Sequence, residues 1–208
     1  GSTPSITLDG DTDMQPDFVW IKNRDATDSN CLFDSARGAT KLLPSDSTAT
    51  ETTDADTLTS FDSDGFALGA DVKVNTNTEK YVAWCWKESA DAGFDIVLFT
   101  GNVTARTISH SLSAVPHVMI LRNRSEVGGD GAWIVYHQKN TSAPETDALQ
   151  LALTNATEDY VGYFNDTAPT SSVFTVGDHL TVNGDGNNML AYLWSEKQGF
   201  SKFGSYTG

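Results

Sequence analysis

The sequence predicts an all-β chain: two tandem antiparallel β-sandwich domains, related by internal duplication and closed by Greek-key or jelly-roll connections. Three observations carry this expectation. The chain of 208 residues repeats itself once, its readable segments are short and rich in β-branched and aromatic side chains, and its acidic residues are mostly aspartate, a turn former.

The repeat comes first because it sets the domain organisation. Pro16-Asp17-Phe18-Val19-Trp20-Ile21-Lys22-Asn23-Arg24 returns as Pro116-His117-Val118-Met119-Ile120-Leu121-Arg122-Asn123-Arg124, an offset of 100. Phe66, Leu68, Gly69, Val74, Asn75, Ala83 and Trp86 fall without a gap on Phe174, Val176, Gly177, Val182, Asn183, Ala191 and Trp194, an offset of 108. Gly93-Phe94 and Thr100-Gly101 reappear as Gly199-Phe200 and Thr207-Gly208. The drift in offset places insertions in loops, where added length costs little. The expected domains are therefore 1–101 and 102–208.

Within each period the segments Phe18–Lys22, Tyr81–Lys87, Phe94–Phe99, Val118–Leu121, Trp133–His137, Leu149–Leu153 and Leu190–Trp194 read as strands. Asp54–Asp64 and Asn183–Asn188 supply turn chemistry between them. No stretch sustains a helical apolar period, although Ala36–Leu43 and Glu145–Ala152 have room for a turn or two of helix. Neither face of Tyr81–Lys87 is polar, so that strand is expected to be covered on both sides. Trp86 and Trp194, at matched places, are expected to share a core role.

Composition bounds the partners. Twenty-eight acidic against thirteen basic residues give a net charge of -15, which repels a phosphate backbone or an anionic lipid surface. Nucleic acid and membrane insertion are not expected. Through Gly101 there are seven basic and eighteen acidic residues, and beyond it six and ten. No apolar run approaches the ~18–20 residues of a spanning helix, and the first thirty residues lack a signal-peptide pattern. The opening Gly1-Ser2 resembles the remnant of a purification tag. Cys31 and Cys85 are too few for a disulfide scaffold and read as free, buried thiols.

His110, His117, His137 and His179 stand singly, without metal-ligand spacing, and read as packing or hydrogen-bonding residues. There is no Gly-Lys-Ser/Thr phosphate loop and no Gly-x-Ser-x-Gly elbow. So many aspartates make any pair of carboxylates uninformative, and no enzyme is expected. No cofactor is required. The best candidate for Ca2+ is Asp9-Gly10-Asp11-Thr12-Asp13, with Asp9, Asp11 and Asp13 on alternate residues. An EF-hand would continue with glycine and end on glutamate where Met14 and Trp20 stand, so the segment reads either as a calcium loop or as a solvated linker. Trp20, Trp84, Trp86, Trp133 and Trp194 raise sugar stacking against core filling, and the loops Ser45–Thr59 and Ser125–Gly131 are the other places for a glycan. Arg24 and Arg124 are expected to make a shared salt bridge or backbone contact.

The phrases Pro16 to Arg24, Leu32-Phe33-Asp34-Ser35-Ala36-Arg37-Gly38, Ser60-Phe61-Asp62-Ser63-Asp64-Gly65-Phe66, Tyr81-Val82-Ala83-Trp84-Cys85-Trp86-Lys87 and Phe203-Gly204-Ser205-Tyr206-Thr207-Gly208 resemble repeats of virion structural proteins of marine and cyanobacterial bacteriophages, of tail-fibre or head-surface type. The resemblance is looser in the second period, where Cys85 becomes Leu193 and Arg37-Gly38 has no counterpart. It implies lectin-like, concanavalin-like sandwiches in an extracellular virion, without enzymatic activity. It also implies other virion subunits as partners, a homo-oligomer (a trimer) in the full-length protein, and a module that forms or positions a host-attachment surface, with a host glycan as a candidate ligand. The alternative expectation is a tandem carbohydrate-binding module of a secreted bacterial glycan-degrading enzyme.

Overall fold

The computed structural model describes residues 3–208; Gly1-Ser2, and the tag-remnant reading attached to them, lie outside the described residues. The chain is all-β, with 37% strand against 8% helix, in several antiparallel sheets. It divides into two compact units, Gly1–Glu88 and Ser89–Gly208. This division precedes the expected boundary at Gly101, because Phe94–Thr100 pairs along its whole length with Asn188–Trp194 and belongs to the second unit. Among the described residues no helix is long and apolar enough to cross a membrane.

The first unit runs β1 (Ser5–Thr7), β2 (Phe18–Asn23), β3 (Cys31–Asp34), β4 (Lys41–Pro44), β5 (Thr52–Thr53), β6 (Leu58–Asp62), β7 (Gly65–Leu68), α1 (Val72–Asn75) and β8 (Tyr81–Trp86). One sheet has the order β5-β4-β3-β2-β8 and the other β1-β7-β6. Their facing side chains make one core, with Val19, Ile21, Cys31, Phe33 and Leu42 from the larger sheet against Leu58, Phe66 and Leu68 from the smaller and Val74 from α1. This is the sandwich-like layering that alternating apolar positions dictate.

The second unit runs β9 (Phe94–Thr100), β10 (Arg106–Ser109), β11 (Val118–Asn123), a 3-10 turn (Gly128–Gly131), β12 (Trp133–His137), β13 (Asp147–Gln150), β14 (Glu158–Asp159), α2 (Val161–Phe164), β15 (Val173–Val176), α3 (Leu180–Asn183) and β16 (Asn188–Trp194). Its sheets are β14-β13-β12-β11-β16-β9 and β10-β15. Met119, Leu121, Ile134, Tyr136, Ala191 and Leu193 meet Ile108, Phe174 and Val176 across the core, with Phe164 and Val182 from the short helices. A fully buried Phe such as Phe174 contributes roughly 1.5–3 kcal/mol.

The pairing registers of the two units match residue by residue. Phe18 stands opposite Trp86 as Val118 does opposite Trp194, and the match continues to Asn23 with Tyr81 and Asn123 with Met189. Trp20 opposite Leu32 corresponds to Ile120 opposite Val135, Leu32 opposite Leu43 to Val135 opposite Leu149, and Ile6 opposite Phe66 to Ile108 opposite Phe174. The units differ at two places. The second has β9 beyond β16, where the first has nothing paired beyond β8 among the described residues, and α2 stands near the place of β6.

Recurrent polar residues explain the rest of the repeated sequence. Asn75 Nδ2 donates to the Gly69 carbonyl at 2.7 Å and Asn183 Nδ2 to the Gly177 carbonyl at 2.8 Å, which closes the short α1 and α3 turns onto the preceding strand. Glycine is required at 69 and 177 because a Cβ there would collide with the backbone of Asp56 or Gly162. Asn23 Oδ1 accepts from the Asp25 amide and Asn123 Oδ1 from the Ser125 amide. The matched arginines share a backbone contact, as the Arg24 amide donates to Lys80 O at 2.8 Å and the Arg124 amide to Asn188 O at 3.0 Å.

Several expectations change. Asp54–Asp64, read as a turn, holds strand β6, and Tyr81–Lys87, expected to be covered on both sides, lies at the rim of its sheet with Ala83 and Trp84 exposed. The spans Ala36–Leu43 and Glu145–Ala152 hold strand residues of β4 and β13 and no helix, since each pairs into the large sheet. Leu151–Leu153 turns away where β13 ends. Trp86 and Trp194 are half-buried and stand outside both core clusters. Val19 pairs with Cys85 on the core face, so strand alternation sends Phe18, Trp20, Trp84 and Trp86 to the opposite face.

Candidate functional site

The free edge of the first unit is the candidate site, and strand parity builds it. On the face of β8 away from the core, Trp84 is 46% exposed and lines a shallow apolar hollow with Trp20 and Trp86. Trp20 and Trp84 meet edge-on at 6.1 Å, and Phe18 packs on Trp86 at 5.3 Å. On the core face the same edge opens into a groove of about 230 Å³, walled by Ile21, Phe66, Val74, Tyr81 and Ala83. Tyr81 is fixed there by donating to Val72 O at 2.7 Å and accepting from the Thr76 amide at 2.8 Å. The edge therefore presents apolar surface on both of its faces, beside a row of backbone groups.

The corresponding edge of the second unit is covered. Phe94 packs on Trp194 at 5.0 Å, Val97 and Phe99 join the core, and Ala191, Tyr192 and Leu193 are fully buried. Asp95, itself buried, holds β9 to the chain after β10, its carboxylate accepting from the Ser111 amide at 2.6 Å and the Ser111 hydroxyl at 2.8 Å.

Several other charged and nucleophilic groups are tied into the fold. Asp34 and Arg37 form a wholly buried pair at 2.5 Å, and the guanidinium also donates to Leu32 O, Lys41 O and Glu51. This knot explains the Asp34 to Gly38 phrase, and it has no equivalent in the second unit, where His137 takes the register position of Asp34. Arg122 lies buried over the Trp133 ring at 5.3 Å, and burial pushes its guanidinium down to about 10. Both cysteines are free; burial pushes the Cys31 thiol up to about 12 and Cys85 to about 11, which keeps them protonated and unreactive.

The four histidines stand apart in hydrogen-bonding roles. Nδ1 of His117, His137 and His179 accepts from the backbone amides of Glu196, Lys139 and Thr181, and His110 Nε2 lies 3.1 Å from Thr170 O. Asp9, Asp11 and Asp13 occupy the exposed loop between β1 and β2. Among the described residues no group of three or more His, Cys, Asp or Glu stands together in a way that could hold a metal ion. An open hollow of about 600 Å³ in the second unit lies under the turn Glu196–Lys202 beside His117. There Glu196 accepts from Lys202 Nζ at 2.7 Å and the Phe203 amide at 3.1 Å, and the lysine holds its carboxyl below the ordinary range.

Sequence reasoning singled out the tryptophans but assigned Trp86 to the core. It missed the groove, because only the pairing of Phe94–Thr100 with β16 reveals that β8 lacks the covering strand β16 has.

No curated protein and no solved structure matches the chain. A family model described as Domain of unknown function (DUF7483) matches residues 1–208. The chain belongs to the DUF7483 family.

Proposed function

We propose that this chain is a non-enzymatic structural module of a bacteriophage particle, two jelly-roll or concanavalin-like sandwiches produced by duplication, which forms or positions a host-attachment surface of a tail fibre, spike or head protein. The observation that supports it is the residue-by-residue match of strand registers between the units. Repetition of one unit lengthens a rigid scaffold without new fold chemistry. The polar residues that recur, Asn23 with Asn123 and Asn75 with Asn183, close turns, which suits a scaffold. The phage assignment rests on the sequence resemblance of the repeated phrases, and with it come other virion subunits as partners and a homotrimer in the full-length protein.

Immunogold microscopy tests this reading on particles from a lysate whose phage genome encodes the chain. Antibodies against the purified chain are expected to decorate fibres or the head surface; label confined to the soluble fraction would overturn it.

A second reading, a carbohydrate-binding tandem of a secreted glycan-degrading enzyme, draws on the exposed Trp84 beside Trp20 and Trp86, since an indole face stacks on a pyranose. Glycan-array binding that is lost in Trp84→Ala would favour it.

A further inference from the structure

The free edge of the first unit has the shape of a strand-binding site, and the second unit shows what such an edge accepts. Several walls correspond: Ile21, Phe66 and Ala83 of the groove stand at the register positions of Leu121, Phe174 and Ala191, and Val74 of α1 matches Val182 of α3 in the repeated sequence. In the second unit Val97 and Phe99 of β9 pack against those residues, with the Phe99 and Phe174 rings 6.3 Å apart. In the first unit the same place is open groove. Exposure follows: Ile6 is 38% exposed against 8% for its counterpart Ile108, and Trp84 46% against 0% for Tyr192.

The chain carries a second segment that follows an equivalent turn and aligns with the covering strand. The turn before β9 closes by a bridge between Ser89 and Phe94, and the last turn of the chain closes by a bridge between Lys197 and Ser201. That bridge sets Ser201–Thr207 on Phe94–Thr100 at a constant offset of 107, placing Phe203 on Ile96, Tyr206 on Phe99 and Thr207-Gly208 on Thr100-Gly101. Ser201–Thr207 nevertheless forms no extended strand, and Tyr206 is 96% exposed.

We propose that Ser201–Thr207 of one copy of this chain adds as an antiparallel strand to β8 of a second copy, joining chains head to tail. Transferring the β9–β16 register puts Phe203 opposite Trp84 and Tyr206 opposite Tyr81, so one ring covers the tryptophan hollow and the other enters the groove. The edge supplies the backbone hydrogen bonds that an unpaired strand lacks.

Charge supports the same partner. Residues 197–208 carry Lys197 and Lys202 and no acid, whereas the first 88 residues carry sixteen acidic against seven basic side chains. Lys202 takes the place of Asp95, whose partner is Ser111. Extending the β1 and β10 registers by two residues sets Asp9 on Ser111, so a carboxylate held by a serine in the second unit becomes a lysine facing the Asp9 loop in the first. The arrangement is heterologous, with donor and acceptor at different places, and it propagates without closing unless a rotation brings the ends together. It goes beyond the structural role proposed above and holds whether or not the chain belongs to a phage.

The test is sedimentation velocity of the full chain across micromolar to millimolar concentration, with tryptophan emission followed in parallel. The expected result is a concentration-dependent ladder of oligomers and a blue shift on assembly. Tyr206→Asp, on an exposed donor position, and Ala83→Arg, on the acceptor edge, are each expected to sediment as monomers. Mixed, they are expected to form a one-to-one dimer, since each keeps one intact half. Should Ala83→Arg fail to fold, Tyr206→Asp with wild type still reports donor loss by capping the ladder. Wild type that stays monomeric with quenchable tryptophan overturns the proposal. So does association untouched by Tyr206→Asp. A monomer whose shielded tryptophan is exposed by Tyr206→Asp also overturns it, because the segment then docks within its own chain. Glycan binding at Trp84 in a chain that never associates assigns the edge to sugar instead.

Discussion

Strands β8 and β16 hold the same place, beside a strand of the same register, yet one is exposed and the other sealed. β16 lies between β11 and β9, and its Leu190 to Leu193 are wholly buried; β8 lies beyond β2 at the rim, with Ala83 and Trp84 exposed. The difference does not come from apolar content, since both strands are apolar on both faces. It comes from a neighbour. A strand without polar side chains on either face is built for the middle of a sheet, and leaving it at the rim exposes apolar surface and unpaired backbone together.

The largest effect that sharpens this contrast lies under the two edges. Phe174→Ala in the sealed unit is expected to cost about 3–5 kcal/mol, and Phe66→Ala, which already borders open groove, less than Phe174→Ala. Urea unfolding of the two variants checks the order, and equal losses would break the comparison. A similar loss, about 3–5 kcal/mol, is expected for Arg37→Met, which strands the buried Asp34 carboxylate. It should fall on the first unit alone, seen as one shifted transition in calorimetry.

Smaller effects follow from the thiols. Neither cysteine is expected to react with a thiol reagent at pH 8 in the folded chain, and both should react in urea. The unfolded Cys31 thiol ionises near 9.0 while burial holds the folded one to about 12, so the unfolded chain binds fewer protons in this window. The stability this thiol contributes is therefore whole below pH 9 and lost as pH rises toward 12, which denaturant midpoints across that range would record. The smallest expected effect is calcium at Asp9, Asp11 and Asp13, where calorimetric titration is expected to give a flat trace; heat saturating at one site would assign the loop to the ion instead of to Lys202.

Much of the fold was legible in the residues. The repeated Pro16 to Arg24 phrase marked β2 and β11, and the aromatic runs marked β8, β9, β12 and β16. Strands β1, β3 to β7, β10, β14 and β15 were not read from the residues: β6 lies inside Asp54–Asp64, whose Asp, Ser and Thr read as turn chemistry, and β5 and β14 are too short to show a period of two. The unit boundary was misplaced because β9 pairs with a strand about ninety residues away, a contact that no local pattern announces. Parity defeated the reading of Trp86: alternation gives two faces but does not say which one the second sheet covers. Arg37 and Asn183 were similarly opaque, since their hydrogen bonds run to backbone carbonyls that only the fold brings near.

The most direct test is residue-resolved amide hydrogen exchange on the dilute chain, comparing Tyr81–Trp86 with Asn188–Trp194. Alternate amides of β8, those turned away from β2, are expected to exchange rapidly, while every amide of β16 stays slow between its two neighbours. Uniform protection of β8, equal to that of β16, would contradict the open edge.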